Sequence, residues 1–196
     1  MHKTMYKIAL SAAFALSASF AQATVLTFDD IVGADDVAAL PANYGGLDWS
    51  GAGLSVFTAA QAPFAAHSGE GRVTTDWTDG GPVASTIRFT APTVFDGAWF
   101  AGYSDSSVRF DLYRDGALVA SSATLLLTDA PAYLAAGWTS AIDTIVVFSG
   151  AQASYVMDDL TFEGAAVVPE PGSLAFLQGG LGLAGALRLR RQMGAR

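Results

Sequence analysis

The chain contains no cysteine and almost no lysine, and both absences limit what it can be. Without cysteine there is no disulfide framework, no zinc–thiolate site and no thiol nucleophile. Lys3 and Lys7 are the only lysines. Between residues 24 and 168, four basic residues stand against seventeen acidic ones, which gives a formal charge of −13. Such a surface repels phosphate backbones, so nucleic acid is excluded as a partner.

A long helical pattern is also missing from residues 24–164. Short apolar alternations recur there instead, separated by Gly, Pro, Asn and Asp, which is typical of an all-β domain. Residues 108–114 alternate strictly, and the turn Asp115-Gly116 favours positive φ, so we predict a β-hairpin that returns over 117–127. Further strands are predicted at 24–28, 53–58, 86–90, 94–103, 144–149 and 154–162. Strands without interleaved helices predict a single jelly-roll-like β-sandwich.

Residues 1–23 have the three-part order of a secretory signal peptide. The start is basic, residues 8–20 are apolar and rich in alanine, and Ala21-Gln22-Ala23 is a small-x-small cleavage site. The apolar run is too short for a stable membrane span. We therefore predict a signal helix that is cleaved after Ala23, so that the mature chain begins at Thr24. An amphipathic first helix is the alternative.

The C-terminal segment, 165–196, has a second three-part order. The prolines of Pro169-Glu170-Pro171 keep the backbone extended and disfavour a helix. Residues 173–187 are apolar and glycine-rich, which predicts a transmembrane helix, shorter than the usual ~20 residues but extended by snorkelling arginines. Four arginines follow within 188–196. Because basic residues stay on the cytoplasmic side, the β-domain is expected on the outer side of the inner membrane.

The stretch VPEPGSLAFLQGGLGLAGALRLRR, residues 168–191, resembles a PEP-CTERM sorting signal. That family's signal has a Pro-Glu-Pro motif, a transmembrane segment and a basic cluster in this order; Gln178, inside the apolar run, departs from the pattern. The resemblance implies recognition by an exosortase, a membrane cysteine protease/transpeptidase of Gram-negative bacteria. It also implies tail removal near Pro169-Glu170-Pro171, release from the inner membrane to the cell surface or medium, and association with exopolysaccharide and biofilm. An ordinary tail anchor is the alternative, and it leaves the proline pair unexplained.

Two aspartate pairs lie near the two ends of the predicted domain. By strand alternation, Asp30 shares a face with Phe28, and Asp158 shares a face with Val156 and Leu160. A carboxylate that faces a core needs a proton, backbone donors or a cation. If the first and last strands are neighbours, an oxygen-ligated Ca²⁺ could join the two ends. Turn capping by the aspartates is the alternative.

The segments LTFDD, PANYGGLDWSG and YVMDDLTF resemble a class of PEP-CTERM cargo domains that are similar to jelly-roll carbohydrate-binding modules. In those modules a structural calcium sits where the chain ends meet. The resemblance therefore implies Asp30 and Asp158 as calcium ligands, with Asp29 or Asp159 and backbone carbonyls as helpers.

Aromatic residues in the predicted loops are candidates for stacking on a sugar ring. Tyr44 and Trp49 lie in a glycine-rich loop and Trp77 lies in a polar one. Packing in the core or within the loops is the alternative for each of them. Trp99 lies among apolar residues, and we predict that it belongs to the core.

Catalysis has little support in the sequence. His67 is the only histidine after residue 23, and no nucleophile-elbow sequence accompanies it, so we predict that the chain is not an enzyme. The favoured interpretation is a non-enzymatic, exported surface or matrix protein, with signal peptidase and exosortase as processing partners. A carbohydrate-binding module for extracellular polysaccharide is the alternative, and a secreted hydrolase is a third hypothesis.

Overall fold

The computed structural model describes residues 22–31, 33–75 and 83–163, within one of the two units of the chain, Ala21–Ala165. All regular elements in these ranges are β-strands. In chain order they are β1 (Ala23–Leu26), β2 (Val37–Ala39), β3 (Asn43–Tyr44), β4 (Leu47–Asp48), β5 (Leu54–Phe57), β6 (Arg72–Thr75), β7 (Val83–Thr93), β8 (Phe95–Gly102), β9 (Ser107–Arg114), β10 (Ala117–Ser121), β11 (Leu125–Leu126), β12 (Ala132–Ala135), β13 (Ile142–Ser149) and β14 (Tyr155–Glu163).

The strands form two antiparallel sheets. Sheet A has the order β12-β8-β14-β6-β5-β2, with β1 also paired to β14, and sheet B has the order β10-β9-β13-β7-β4-β3, with β11 also paired to β9. Buried side chains from both sheets form one main core cluster, as in a β-sandwich. The prediction of an all-β domain is confirmed. Residues 1–21 of the predicted signal helix (1–23) and the whole predicted transmembrane helix (173–187) lie outside the described residues. Ala23, the last residue of the predicted signal helix, is the first residue of β1.

Within the described ranges, no helix has the length and apolar character needed to span a membrane.

The predicted hairpin is present as β9 and β10. Arg114 is opposite Ala117, and the two residues between them, Asp115 and Gly116, have φ of 50° and 77°. Two positive φ values in a two-residue turn match the right-handed twist of the strands that it joins. The apolar side chains of β9 lie in the main core, as the alternation predicts.

The strand alternation predicted for the last strand is wrong beyond Asp158. Met157 and Leu160 both lie in the main core, although an uninterrupted strand would point them to opposite faces. The cause is a bulge: Asp159 has φ of 46°, and the register against β8 shifts between Asp158 and Thr161. Asp158 therefore lies on the outer face of sheet A with Val156, and not towards the main core.

The first strand is shorter than predicted, and it is a neighbour of the last strand. β1 pairs with β14, with Leu26 opposite Leu160. The strand ends at Leu26, and Phe28 reaches the core through a turn in which its φ is 61°. Asp29 and Asp30 follow this turn and are exposed, so the prediction that Asp30 faces the core is also wrong.

The outer face of sheet A is partly covered by residues 58–71, which we call the covering loop. Its Phe64 packs against Phe57, Ala101 and Val156 in a small buried cluster separate from the main core. Arg72, at the end of the loop, is only 3% exposed. Its guanidinium donates to the carbonyl oxygens of four residues, namely Phe57, Ala59, Phe64 and Glu70, and lies 4.0 Å from the centre of the Phe57 ring. One buried cation therefore fixes the path of the loop.

Candidate functional site

Asp158 fastens the covering loop to the last strand. Its Oδ2 accepts the backbone N–H groups of His67 at 2.8 Å and Ser68 at 2.9 Å, and its Oδ1 accepts that of Asp159 at 2.7 Å. The side chain is buried beneath the loop. Desolvation raises the pKa of Asp158 to about 6, although these N–H groups oppose the rise, because burial disfavours the charged carboxylate.

Asp159 holds the side chains of the same two loop residues. Its Oδ2 lies 2.5 Å from His67 Nδ1, and its Oδ1 accepts the Ser68 hydroxyl at 2.7 Å. The Ser68 hydroxyl therefore donates to the aspartate and not to the histidine. In a Ser-His-Asp triad the serine donates to the histidine, so this arrangement does not activate Ser68 as a nucleophile.

An aromatic surface lies beside these contacts, and no pattern in the sequence indicates it. The His67 imidazole stacks on Trp99 with ring centres 3.5 Å apart and an angle of 10° between the planes, and Tyr133 lies 5.6 Å from Trp99. The His67 side chain is 34% exposed and Tyr133 is 41% exposed. We call these three residues the ring surface. Trp99 is thus half-buried on the outer face of sheet A, whereas the sequence predicts a core residue.

Asp29 fastens the other end of the covering loop. Its Oδ1 accepts the backbone N–H groups of Glu70 at 2.8 Å and Gly71 at 2.7 Å. Glycine is required on the loop side, because a Cβ at Gly69 would collide with the Asp29 carboxylate, and a Cβ at Gly71 would lie 2.6 Å from the Phe28 carbonyl group. The backbone of the covering loop therefore contacts the Asp29 carboxylate directly, in the turn after β1.

Asp30 has a different partner. Its carboxylate accepts the Tyr44 hydroxyl at 2.6 Å. Burial and then the contact with Asp30 raise the pKa of Tyr44, because both favour the protonated phenol.

The four aspartates predicted as calcium ligands thus make contacts within the chain. Asp29 and Asp158 accept backbone N–H groups of the same loop, which is the capping arrangement. Across the part of the chain that the structure describes, no group of three or more His, Cys, Asp or Glu is placed to hold a metal ion. The calcium site, with Asp30, Asp158, Asp29 and Asp159, stays a prediction.

The residues predicted to stack on a sugar do not form one surface. Trp49 is 3% exposed, its Nε1 donates to the Tyr44 carbonyl at 2.9 Å, and its ring meets Phe28 edge to face, so it offers no open face to a ligand. Tyr44 is half-buried and stacks on Phe28 at 5.6 Å. Trp77 lies outside the described residues.

Only some of the residues predicted for processing belong to the described part of the chain. Ala23 and Thr24, at the predicted signal cleavage bond, belong to β1. Ala21 and the Pro169-Glu170-Pro171 motif lie outside the described residues.

The comparison with known proteins assigns the chain to no family. No family model and no curated protein matches the chain. One solved structure that it resembles is a Paenibacillus sp. cycloisomaltooligosaccharide glucanotransferase complexed with cycloisomaltoheptaose. The likeness has 20% identity and a TM-score of 0.31, and it covers 61% of this chain and 18% of the glucanotransferase chain. A TM-score this low indicates neither the fold nor the function of this chain.

Proposed function

We propose that the protein is an exported, non-enzymatic surface or extracellular-matrix protein whose C-terminal tail is removed by an exosortase. The observation that carries the proposal is the order of features in residues 168–191: Pro-Glu-Pro, an apolar run and a cluster of arginines. The three-part leader of residues 1–23 supports it, because a chain with this tail has to reach the membrane through an export pathway. The cargo between the two signals is, in this proposal, a jelly-roll form of the β-sandwich.

The pairing of β1 and β14 supports the proposal in one respect. Ala23 is opposite Glu163, so the predicted signal cleavage bond and the last described residue before the tail are neighbours in the domain.

Intact-mass measurement tests both cleavages together. The full gene is expressed in a Gram-negative host that contains an exosortase, and the product is compared with the same chain in an exosortase deletion strain. We expect a mass that begins at Thr24 and ends near Pro169-Glu170-Pro171 in the first strain, and a tail that includes Arg188–Arg196 in the second. A product that keeps the arginines in both strains would refute the proposal.

A second candidate function, binding of an extracellular polysaccharide, is favoured by the ring surface. The planar face of His67 is held in position by Trp99 and Asp159, and the Tyr133 ring is exposed beside Trp99. Preorganised, partly exposed rings are suited to the apolar face of a sugar.

Affinity electrophoresis in gels with dextran or laminarin tests this candidate. Tyr133→Ala is expected to remove most of the retardation, whereas Tyr103→Ala is expected to leave it unchanged. Tyr103 is a matched control, because it is 49% exposed but packs on Phe64 and is not part of the ring surface. Equal loss in both variants would reject the ring surface as the binding site.

A further inference from the structure

A cavity of about 420 Å³ lies along the covering loop, and neither processing nor the ring surface involves it. Its volume falls in the range of about 300–1,000 Å³ that is typical of small-molecule sites. Apolar atoms of Ala62, Pro63 and Phe64 form part of its lining. The polar groups of Thr58 and Gln61 line it as well. The cavity therefore combines an apolar wall with a few neutral hydrogen-bonding groups.

Two carboxylates, Glu70 and Asp129, give the cavity its charge. Both residues are exposed. The ion pairs among the described residues are His67–Asp159, Arg109–Asp111 and Arg114–Asp115, and neither Glu70 nor Asp129 takes part in them. The lining thus presents acidic groups that can still gain from a cationic partner.

Arg72 also lines the cavity and brings one positive charge to it. Its guanidinium is buried and donates to backbone carbonyls of the covering loop. Burial lowers the pKa of Arg72, and the charges of Asp158 and Glu70 oppose this by favouring its protonated form. With two carboxylates and one guanidinium, the lining has a formal charge of −1.

We propose that this cavity binds a protonated amine carried on a sugar ring, that is, one amino-sugar unit of a polysaccharide. The ammonium group would lie at Glu70 and Asp129, the carbon face of the ring at Pro63 and Phe64, and the hydroxyls near Gln61. The preference for a cation follows from the lining. The choice of a sugar over a peptide rests on the second candidate function, the binding of an extracellular polysaccharide.

The test compares two trisaccharides that differ in charge. The full chain in detergent is titrated calorimetrically with the glucosamine trimer and with its N-acetylated form. We expect the glucosamine trimer to bind at least tenfold more tightly. We also expect its affinity to fall several-fold from 50 to 500 mM NaCl, because salt screens exposed charges.

Single variants connect the binding to this cavity. Glu70→Gln and Asp129→Asn are each expected to weaken the glucosamine trimer about three- to tenfold. Glu70→Gln keeps the backbone carbonyl that accepts a hydrogen bond from the Arg72 guanidinium. Asp105→Asn is the matched control, because it removes the same charge from an exposed carboxylate that does not line the cavity.

Four outcomes would overturn the proposal. They are no binding of the glucosamine trimer, equal binding of the acetylated trimer, the same effect in Asp105→Asn as in the two cavity variants, and binding of trilysine without binding of the glucosamine trimer. The intact-mass result is independent of all four, so a failure here leaves the processing proposal standing.

Discussion

Single residues decide how closely the covering loop approaches the turn after β1. Gly69 has φ of 50°, and a Cβ there would push away the Asp29 carboxylate that receives the N–H groups of Glu70 and Gly71. A Gly69→Ala variant therefore combines backbone strain of about 1–2 kcal/mol with the loss of these bonds, each worth about 1 kcal/mol. We expect urea unfolding to show a loss of about 3–4 kcal/mol.

Gly53→Ala is the control for this prediction. Gly53 has φ of 61°, but a Cβ at this position would meet nothing within 4 Å, so only the backbone strain applies. If Gly69→Ala and Gly53→Ala lowered the free energy of unfolding equally, the contact between Gly69 and Asp29 would contribute nothing to stability. In an Asp29→Ala background, Gly69→Ala should become as mild as Gly53→Ala.

A single residue, Asp158, is expected to make the stability of the protein depend on pH. Its pKa in the folded chain is about 6, above the ordinary aspartate value of 3.8, so the folded state binds the proton more tightly than the unfolded state. The stability that this group contributes is fully present below the unfolded value and is lost as pH rises through 6. The free energy of unfolding of the wild type, relative to Asp158→Asn, should therefore increase when pH falls from 7 to 4.

Urea unfolding of both proteins at pH 7, 5.5 and 4 measures this difference, and titrations shared by the two proteins cancel. The difference in free energy of unfolding between wild type and Asp158→Asn should shrink as pH rises. A difference that is constant, or that grows with rising pH, would contradict the raised pKa of Asp158.

At the scale of elements, the sequence predicts strands well where one face is buried and the other is exposed to solvent. β9 is such a strand, and its alternation and the Asp115-Gly116 turn are sufficient to predict the hairpin. β6 carries no such signal, because all four of its residues are buried and the pattern does not alternate. The bulge at Asp159 is equally hidden, since a bulge is visible only when the partner strand is known.

The covering loop is predicted to be an element that opens by itself. Phe64 belongs to a small cluster outside the main core, so Phe64→Ala removes packing that holds the loop but not the two sheets. Hydrogen exchange followed by mass spectrometry should show faster exchange in residues 58–71 and little change in β9 and β13. Phe110→Ala, in the main core, should instead lower global stability by about 3–5 kcal/mol. Equal acceleration in all strands of the Phe64→Ala variant would show that the loop is part of the global unfolding unit.

At the scale of the whole molecule, the sequence predicts the all-β class, whereas the pairing of the first and last strands is known only from the structure. The candidate site is harder to predict, because it depends on contacts between distant segments. Asp158 and Asp159 meet His67 and Ser68 across separations of 90 to 92 positions. No local pattern indicates such a contact, and the stacking of His67 on Trp99 depends on it. The charge of the aspartates is visible in the sequence, whereas their partners are visible only in the fold.

These partners make the calcium proposal testable against capping. If a calcium ion joins the two ends of the sandwich through Asp30 and Asp158, it binds only the folded chain and stabilises it by about 2.7 kcal/mol at a concentration 100 times its Kd. The melting temperature of the full chain in detergent should then rise with 1 mM CaCl₂ and fall with EDTA, and Asp158→Asn should abolish both shifts.

Capping predicts the opposite pattern. The N–H groups of His67 and Ser68 already occupy Asp158, and those of Glu70 and Gly71 occupy Asp29. Stability would then be independent of calcium, while Asp29→Ala would still lower it by about 1–2 kcal/mol through the loss of two hydrogen bonds. Magnesium at the same concentration is the control for ionic strength, because a calcium site of this kind favours the larger ion. A melting temperature unmoved by calcium and EDTA, together with a destabilised Asp29→Ala variant, would assign Asp29, Asp158 and Asp159 to fastening the covering loop and leave Asp30 to its bond with Tyr44.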